Sequence, residues 1–170
     1  MTILFICTGN TCRSPLAAAL ASQASEQADL RFQSAGLQAL PGLPASEGSQ
    51  VVAAEHGISL VDHRSRSINQ AMHQDVDWVI GMTRSHVAMF KARFPIFPGR
   101  IGLLGEPGLD LAQRATPDAM QINDPYGGHL AEYRAMAEQV GRLVRAWLPF
   151  FQADEGNLSD TPKRPEEEAS

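Results

Sequence analysis

A thiol and a guanidinium stand six residues apart near the start of the chain, in the segment Cys7-Thr8-Gly9-Asn10-Thr11-Cys12-Arg13-Ser14-Pro15. A turn over residues 8–12 can point several backbone N–H groups at one spot, which makes an anion-binding nest. The Arg13 guanidinium can hold two phosphate oxygens in a fork. A helix that begins near Ser14 points its positive end at the same spot. The segment therefore predicts a phosphate-binding loop that contains a cysteine.

Cys7 is the candidate nucleophile of this loop. The partial positive charges that attract phosphate also favour the thiolate form of a cysteine, and the Ser14 hydroxyl can donate a hydrogen bond to the sulfur. The spacing from Cys7 to Arg13 is only suggestive by itself, because a buried cysteine beside an unrelated arginine gives the same pattern. The apolar run before it, Gly9 and Asn10 inside the turn, and a proline at the helix start favour the functional interpretation.

A nucleophilic thiolate needs a partner that protonates the leaving group. The candidate is Asp124, in the sequence Asp124-Pro125-Tyr126-Gly127-Gly128. A residue before proline is held extended, and the glycines allow a sharp turn. The segment follows a loop predicted over residues 105–123, and loops that long are usually functional or disordered. Tyr126 could form a wall of the pocket. Without the cysteine loop, an ordinary turn would be the preferred interpretation.

The elements that must position these residues alternate between strands and helices. Short apolar runs predict four strands, over residues 3–7, 30–34, 77–82 and 100–104. Helical patterns cover residues 16–23, 44–56, 84–94 (with Thr83 as a cap) and 130–150. This alternation predicts an α/β fold of three layers, a four-stranded parallel sheet with helices on both faces. Ligands bind beyond the carboxyl ends of such strands, where Cys7 stands.

Composition limits the number of domains and the classes of partner. The chain has 170 residues, 44% of them apolar, which suits one domain with a sizeable core. We expect this domain to span residues 1–151, and residues 152–170 to form a disordered acidic tail because they are polar. The net charge of −5 is concentrated in that tail, and no basic patch suggests a nucleic-acid partner.

The same composition argues against a membrane protein. The apolar run at the N-terminus is too short for a signal peptide, and no run is long enough to cross a bilayer. We therefore expect a cytoplasmic protein without a membrane partner. The two cysteines make no disulfide framework, and the five histidines show no metal-ligand spacing, so no metal or other cofactor is expected.

Residues 7–15 and 124–128 together resemble the low-molecular-weight protein tyrosine phosphatase family. The likeness runs from about residue 1 to residue 147 and includes Ser34-Ala35-Gly36 and Met82-Thr83-Arg84-Ser85-His86. The resemblance implies a flavodoxin-like sheet of the phosphotyrosine protein phosphatase I type. It also implies phosphorylated proteins as partners and a chain that is a monomer or a weak dimer.

The resemblance implies a mechanism without metal. Cys7 would attack phosphorus and form a cysteinyl-phosphate, while Arg13 and the loop amides stabilise the equatorial oxygens. Asp124 would protonate the leaving group and then activate the water that hydrolyses the intermediate. Ser14 would assist the sulfur, and Asn10 would hold the loop in shape. The remaining phosphate-binding and substrate-binding positions would be Thr8, Gly9, Thr11, Cys12 and Tyr126.

Cys12 and His63 receive roles from the same resemblance. The family suggests a reversible disulfide between Cys7 and Cys12 that protects the nucleophile from over-oxidation. The alternative is that Cys12 only fills space in the loop. His63 is expected to hydrogen-bond near the loop, whereas the other histidines are interpreted as surface or structural residues.

Thr11 bears on the choice of substrate. Tyrosine-directed members of the family usually have a larger aliphatic residue here, and threonine resembles the bacterial protein arginine phosphatase branch. We therefore favour phosphoarginine, with phosphotyrosine as the alternative that Tyr126 supports. Thioredoxin-coupled arsenate reductases share the loop but need further cysteines, which argues against that activity. A non-catalytic phosphate-binding module would not need Cys7 together with Asp124.

Overall fold

The computed structural model describes residues 1–69, 76–111 and 120–158, with side chains as far as residue 154. A parallel sheet of four strands forms its centre: β1 Thr2–Cys7, β2 Arg31–Gly36, β3 Trp78–Gly81 and β4 Arg100–Leu103. Four helices described with it are α1 Arg13–Ala24, α2 Glu47–Glu55, α3 Arg84–Arg93 and α4 Leu130–Leu158. The predicted strands and helices are all present, and their ends differ by a few residues. Residues 112–119 of the predicted long loop lie outside the described residues.

The strand order is β2-β1-β3-β4, so β1 lies inside the sheet. Alternate side chains of β1 point to opposite faces, as in any strand. Ile3 and Phe5 pack in the core under α1, α2 and α4, whereas Leu4 and Ile6 pack in the core under α3. Both faces of β1 are therefore buried, which explains why its sequence is an unbroken apolar run. The predicted three-layer α/β fold is confirmed.

The carboxyl ends of the strands meet at one edge of the sheet. Cys7 pairs with Gly36 at the ends of β1 and β2, and Ile6 pairs with Gly81 of β3. The backbone is tight here, because a Cβ on Gly36 would lie 2.6 Å from the Thr8 carbonyl oxygen. Glycine at position 36 thus allows the loop after β1 to lie directly over the end of β2.

Helix α4 is longer than the sequence pattern predicts. The prediction ends it at residue 150 and begins the disordered tail at residue 152, but the helix continues to Leu158. Phe151 is fully buried. Asp154 accepts a hydrogen bond from Trp78 Nε1 (3.0 Å) and forms an ion pair with Arg100. These contacts with the sheet hold the added turns, and the rest of the predicted tail lies outside the described residues.

None of the described helices has the length and apolar composition needed to cross a bilayer.

Candidate active site

Asn10 is the buried residue that shapes the loop between β1 and α1. Its φ of 56° is left-handed, a conformation that asparagine tolerates better than most residues. Its Oδ1 accepts from the Arg66 N–H (3.0 Å), which identifies the other amide atom as the nitrogen. This nitrogen donates to Ser14 Oγ and to Ser34 Oγ, both at 3.0 Å. All polar atoms of the Asn10 side chain are therefore in use, and the loop conformation is fixed.

The Cys7 sulfur is surrounded by hydrogen-bond donors. The Asn10 backbone N–H points at Sγ from 3.3 Å, and Ser14 Oγ lies 3.0 Å from it. Since Ser14 Oγ already accepts from the Asn10 amide, its own hydrogen is free for the sulfur, which is closer than the Ala35 carbonyl oxygen at 3.4 Å. Two donors directed at one sulfur stabilise a negative charge there.

The loop carbonyl groups bind donors outside the loop. Those of Thr8, Asn10 and Thr11 accept from the Gln38 N–H (2.9 Å), from His63 Nε2 (2.7 Å) and from the Ser46 N–H (2.9 Å), respectively. In a trans peptide the next N–H points away from the carbonyl, so the N–H groups of residues 9, 11 and 12 face the opposite way. This arrangement suits an anion-binding nest.

His63 hydrogen-bonds to the loop, as the resemblance implied. The Asn10 carbonyl can only accept, so His63 Nε2 carries the hydrogen in this contact. Burial lowers the pKa of His63, with smaller effects from the Asn10 hydrogen bond, which raises it, and from nearby arginines, which lower it further. The neutral imidazole therefore acts as a donor to the loop backbone.

Arg13 and Asp124 are joined although they lie far apart in the sequence. Arg13 Nη2 lies 2.7 Å from Asp124 Oδ2, and Nη1 donates to the Ile122 carbonyl at 3.2 Å. Arg13 Nε is buried and has no hydrogen-bond partner among the described residues. The guanidinium is thus held in place by the loop that carries Asp124, and its N–H groups outside these contacts remain for a ligand in the cavity that Arg13 lines.

Asp124 is more accessible than Arg13. Its side chain is 49% exposed, and its Oδ1 accepts from the Tyr126 N–H at 3.2 Å. Gly127 has a φ of 77°, which only glycine adopts readily, and the Gly128 N–H closes the turn on Pro125 O at 2.9 Å. The predicted sharp turn is present and presents the carboxylate beside the loop.

A cavity of about 530 Å³ opens above Cys7. Its lining includes Asp124, Tyr126 and every loop residue from 7 to 13 except Asn10, which lies below the surface. Apolar side chains of Leu40, Leu43 and Tyr126 (74% exposed) stand at its mouth. The two leucines were not predicted as site residues, because nothing near them in the sequence marks the segment as part of a site.

Cys12 is buried within the loop, and both cysteines are free thiols in this structure. Cys12 Sγ lies 3.1 Å from Ser46 Oγ and 4.0 Å from the Tyr133 hydroxyl. Burial raises the pKa of Tyr133, the Ser46 hydrogen bond lowers it, and the neighbouring Cys12 raises it further. The disulfide with Cys7 stays a prediction.

The comparisons with known proteins agree with this geometry. The model of the family described as "Low molecular weight phosphotyrosine protein phosphatase" matches residues 2–157. The protein-arginine-phosphatase of Geobacillus stearothermophilus is 36% identical over 156 residues, 90% of this chain and 97% of that protein. The tyrosine phosphatase Wzb of Escherichia coli K12 is 30% identical over 153 residues, 90% of this chain and 97% of Wzb.

A solved structure shows the same likeness in three dimensions. The YwlE arginine phosphatase from Geobacillus stearothermophilus has a TM-score of 0.77 and 31% identity, covering 96% of this chain and 99% of that one. The chain belongs to the low molecular weight phosphotyrosine protein phosphatase family. It is a hydrolase, and the resemblance inferred from its two motifs is confirmed.

Proposed function

We propose that this enzyme removes phosphoryl groups from protein side chains through a phosphorylated Cys7, and that phosphoarginine is its preferred substrate. The observation that carries the proposal is the Cys7 sulfur, with two donors within 3.3 Å and the Arg13 guanidinium in the same loop. A sulfur held in this way is suited to attack phosphorus.

The proposed chemistry has two displacement steps. Cys7 Sγ forms a bond to phosphorus while the bond from phosphorus to the leaving nitrogen or oxygen breaks, and Asp124 gives its proton to that leaving atom. Water then attacks the cysteinyl-phosphate, Asp124 takes a proton from it, and the thiolate leaves with phosphate as the other product. Arg13, which lines the cavity, and the loop N–H groups hold the equatorial oxygens in both steps of this proposal.

Three features support phosphoarginine. Thr11 lines the cavity and offers a hydroxyl where a bulkier aliphatic residue would narrow it. Asp124 is exposed enough to pair with the guanidinium that leaves when the phosphorus–nitrogen bond breaks. Tyr126 presents an aromatic ring at the cavity mouth, on which a guanidinium can stack.

Phosphotyrosine is the second candidate. The mouth of the cavity is apolar, with Leu40 and Leu43 both exposed, and such side chains pack well against an aromatic ring. Relatives named for each of the two activities align with the chain at similar identity. Both phosphorylated side chains are long enough to reach a deep thiolate, so side-chain length does not decide between them.

The test compares one peptide sequence carrying either phosphoarginine or phosphotyrosine. We expect kcat/KM to be larger for the phosphoarginine peptide by at least about ten-fold, a difference of about 1.4 kcal/mol in transition-state stabilisation. Cys7→Ser should abolish turnover of both peptides while phosphate binding persists. Equal or reversed preference would remove the arginine assignment, and turnover by Cys7→Ser would remove the phosphatase mechanism.

A further inference from the structure

His86 connects helix α3 to the phosphate loop through both nitrogens of its ring. Nε2 lies 2.9 Å from Thr8 Oγ1, and Nδ1 lies 3.0 Å from Thr83 Oγ1. The residue is 4% exposed, whereas Thr8 lines the cavity. A buried imidazole thus touches a residue of the site without lining the cavity itself.

The sheet brings these residues together. Thr8 follows β1 and His86 lies in the first turn after β3, and the two strands are paired neighbours. The first turn of α3 lies close to the sheet, since a Cβ on Gly81 would lie 2.7 Å from Val87 Cγ2. The contact between Thr8 and His86 therefore follows from the packing of two strand ends and not from the local sequence of either.

The hydrogen bonds around Thr83 fit a neutral His86 that accepts at Nδ1. Thr83 Oγ1 accepts from the His86 N–H (3.3 Å) as the cap of α3, and it also contacts Ser85 Oγ at 2.8 Å. With Ser85 as donor, the oxygen has two accepted hydrogens, and the Thr83 hydroxyl hydrogen goes to His86 Nδ1. A neutral imidazole that accepts at Nδ1 carries its hydrogen on Nε2.

The surroundings of His86 keep it neutral near neutral pH. Burial lowers the pKa of His86 to about 4, the positive charge of Arg13 lowers it as well, and the negative charge of Asp124 opposes them. The Nε2–H then donates to Thr8 Oγ1, and the Thr8 hydroxyl hydrogen remains for another acceptor. The Thr8 carbonyl is held independently by the Gln38 N–H at 2.9 Å.

We propose that His86 is a positioning residue of the active site, which fixes the Thr8 side chain so that its hydroxyl donates to the phosphoryl group in the cavity. The proposal rests on the phosphatase function proposed above. The Thr8 hydroxyl adds a side-chain donor to the backbone N–H groups of the loop. Thr8 belongs to the loop that follows β1, and His86, which orients it, belongs to the helix that follows β3. The acidic or basic character of His86 takes no part in the chemistry.

Four variants test this role: His86→Phe, His86→Gln, Thr8→Val and the double variant of His86→Phe with Thr8→Val. The readouts are kcat and KM for para-nitrophenyl phosphate and the calorimetric Kd for inorganic phosphate. We expect His86→Phe and Thr8→Val each to weaken phosphate binding and to lower kcat/KM by about ten- to a hundred-fold, the value of one hydrogen bond to a charged group. The double variant should match Thr8→Val alone, because His86 acts through Thr8.

His86→Gln separates positioning from simple packing. The glutamine Nε2 can reach the place of the imidazole Nε2, so this variant should recover binding to within about three-fold of the unmodified protein, whereas phenylalanine fills the space without donating. His56→Phe, at the exposed end of α2, is the matched control and should leave both readouts unchanged.

Three outcomes would overturn the proposal: losses that add fully in the double variant, glutamine that performs no better than phenylalanine, or a phosphate Kd that Thr8→Val leaves unchanged. The last does not depend on whether His86→Phe folds. If the unmodified protein binds phosphate but does not hydrolyse para-nitrophenyl phosphate, the proposed function fails. The calorimetric comparison then still decides the role of His86.

Discussion

Arg13 Nη2 and Asp124 Oδ2 lie 2.7 Å apart across 111 residues of sequence. The proposed proton donor therefore neutralises the side chain proposed to hold the phosphoryl group. An incoming phosphate dianion attracts Arg13 and repels an ionised Asp124. Substrate binding should weaken this ion pair and release the Asp124 carboxyl group to act on the leaving group.

Asp124→Asn should separate catalysis from binding. We expect kcat on the phosphoarginine peptide to fall by about 10²- to 10⁴-fold, because the general acid is lost. Binding of inorganic phosphate should be unchanged or tighter, because a negative charge next to Arg13 is removed. Steady-state kinetics and calorimetry measure the two effects. Glu138→Gln, on the exposed face of α4, is the control, and an equal loss of binding and kcat would contradict the assignment.

Asn10→Ala should destabilise the fold as well as the site. The change removes the two donors to Ser14 and Ser34 and the acceptor for the Arg66 N–H, at a cost of about 2–4 kcal/mol. Alanine also strains the left-handed backbone at position 10.

Asn10→Gly makes the same side-chain deletion without this strain. It should be more stable than Asn10→Ala by about 1 kcal/mol in urea unfolding. If the two variants unfold at the same urea concentration, the left-handed conformation contributes nothing to stability. If neither differs from the unmodified protein, the Asn10 network is energetically irrelevant.

Thr11→Ile should change substrate preference. The larger aliphatic side chain removes the hydroxyl from the cavity lining and adds apolar surface, so the ratio of kcat/KM for phosphoarginine over phosphotyrosine should fall by about ten-fold or more. Thr2→Ile, at the amino end of β1 and the opposite edge of the sheet, is the matched control. A ratio that stays constant in Thr11→Ile would remove the argument that links Thr11 to arginine.

His86 should contribute to acid destabilisation. Its pKa is about 4 when folded and near 6.5 when unfolded, so between these pH values the unfolded chain binds a proton that the native protein does not. Stability is therefore unaffected by this group above pH 6.5 and is lost as the pH falls towards 4. Between pH 7 and pH 4.5, the free energy of unfolding should fall by about 2 kcal/mol less in His86→Gln than in the unmodified protein.

Urea unfolding at the two pH values measures this difference. His56→Gln, which removes an exposed histidine, serves as the control. The lowered pKa of His63 contributes in the same direction in all three proteins and cancels in the comparison. Equal acid losses in His86→Gln and the unmodified protein would show that His86 is not held neutral.

The sequence was informative where a structure is built from neighbouring residues. Residues 7–15 predict a strand, a turn and a helix in direct succession, and Thr83 has the pattern of a cap, so local chemistry suffices for these. Asn10 could be assigned a shaping role from the family resemblance. Its partners Ser34 and Arg66 could not, because they reach the loop only through the order of strands in the sheet.

Long-range contacts account for what the sequence did not predict. The contact of His86 with Thr8 depends on the pairing of β1 with β3. The contact of Asp154 with Trp78, which accompanies the longer α4, joins residues 76 positions apart. Neither leaves a periodic pattern in the sequence. The location in the cytoplasm and the monomer or weak dimer stay predictions.

The central claim is a phosphoryl group on Cys7, and trapping it is the most direct test. Asp124→Asn is mixed with para-nitrophenyl phosphate, whose leaving group needs little protonation, so the first step proceeds while hydrolysis of the intermediate is slow. The mixture is quenched rapidly and digested, and mass spectrometry locates the phosphoryl group. The mechanism predicts it on the peptide that contains Cys7, and none in a matched sample that also carries Cys7→Ala. Turnover with an unmodified Cys7 peptide, or with the phosphoryl group on another residue, would contradict it.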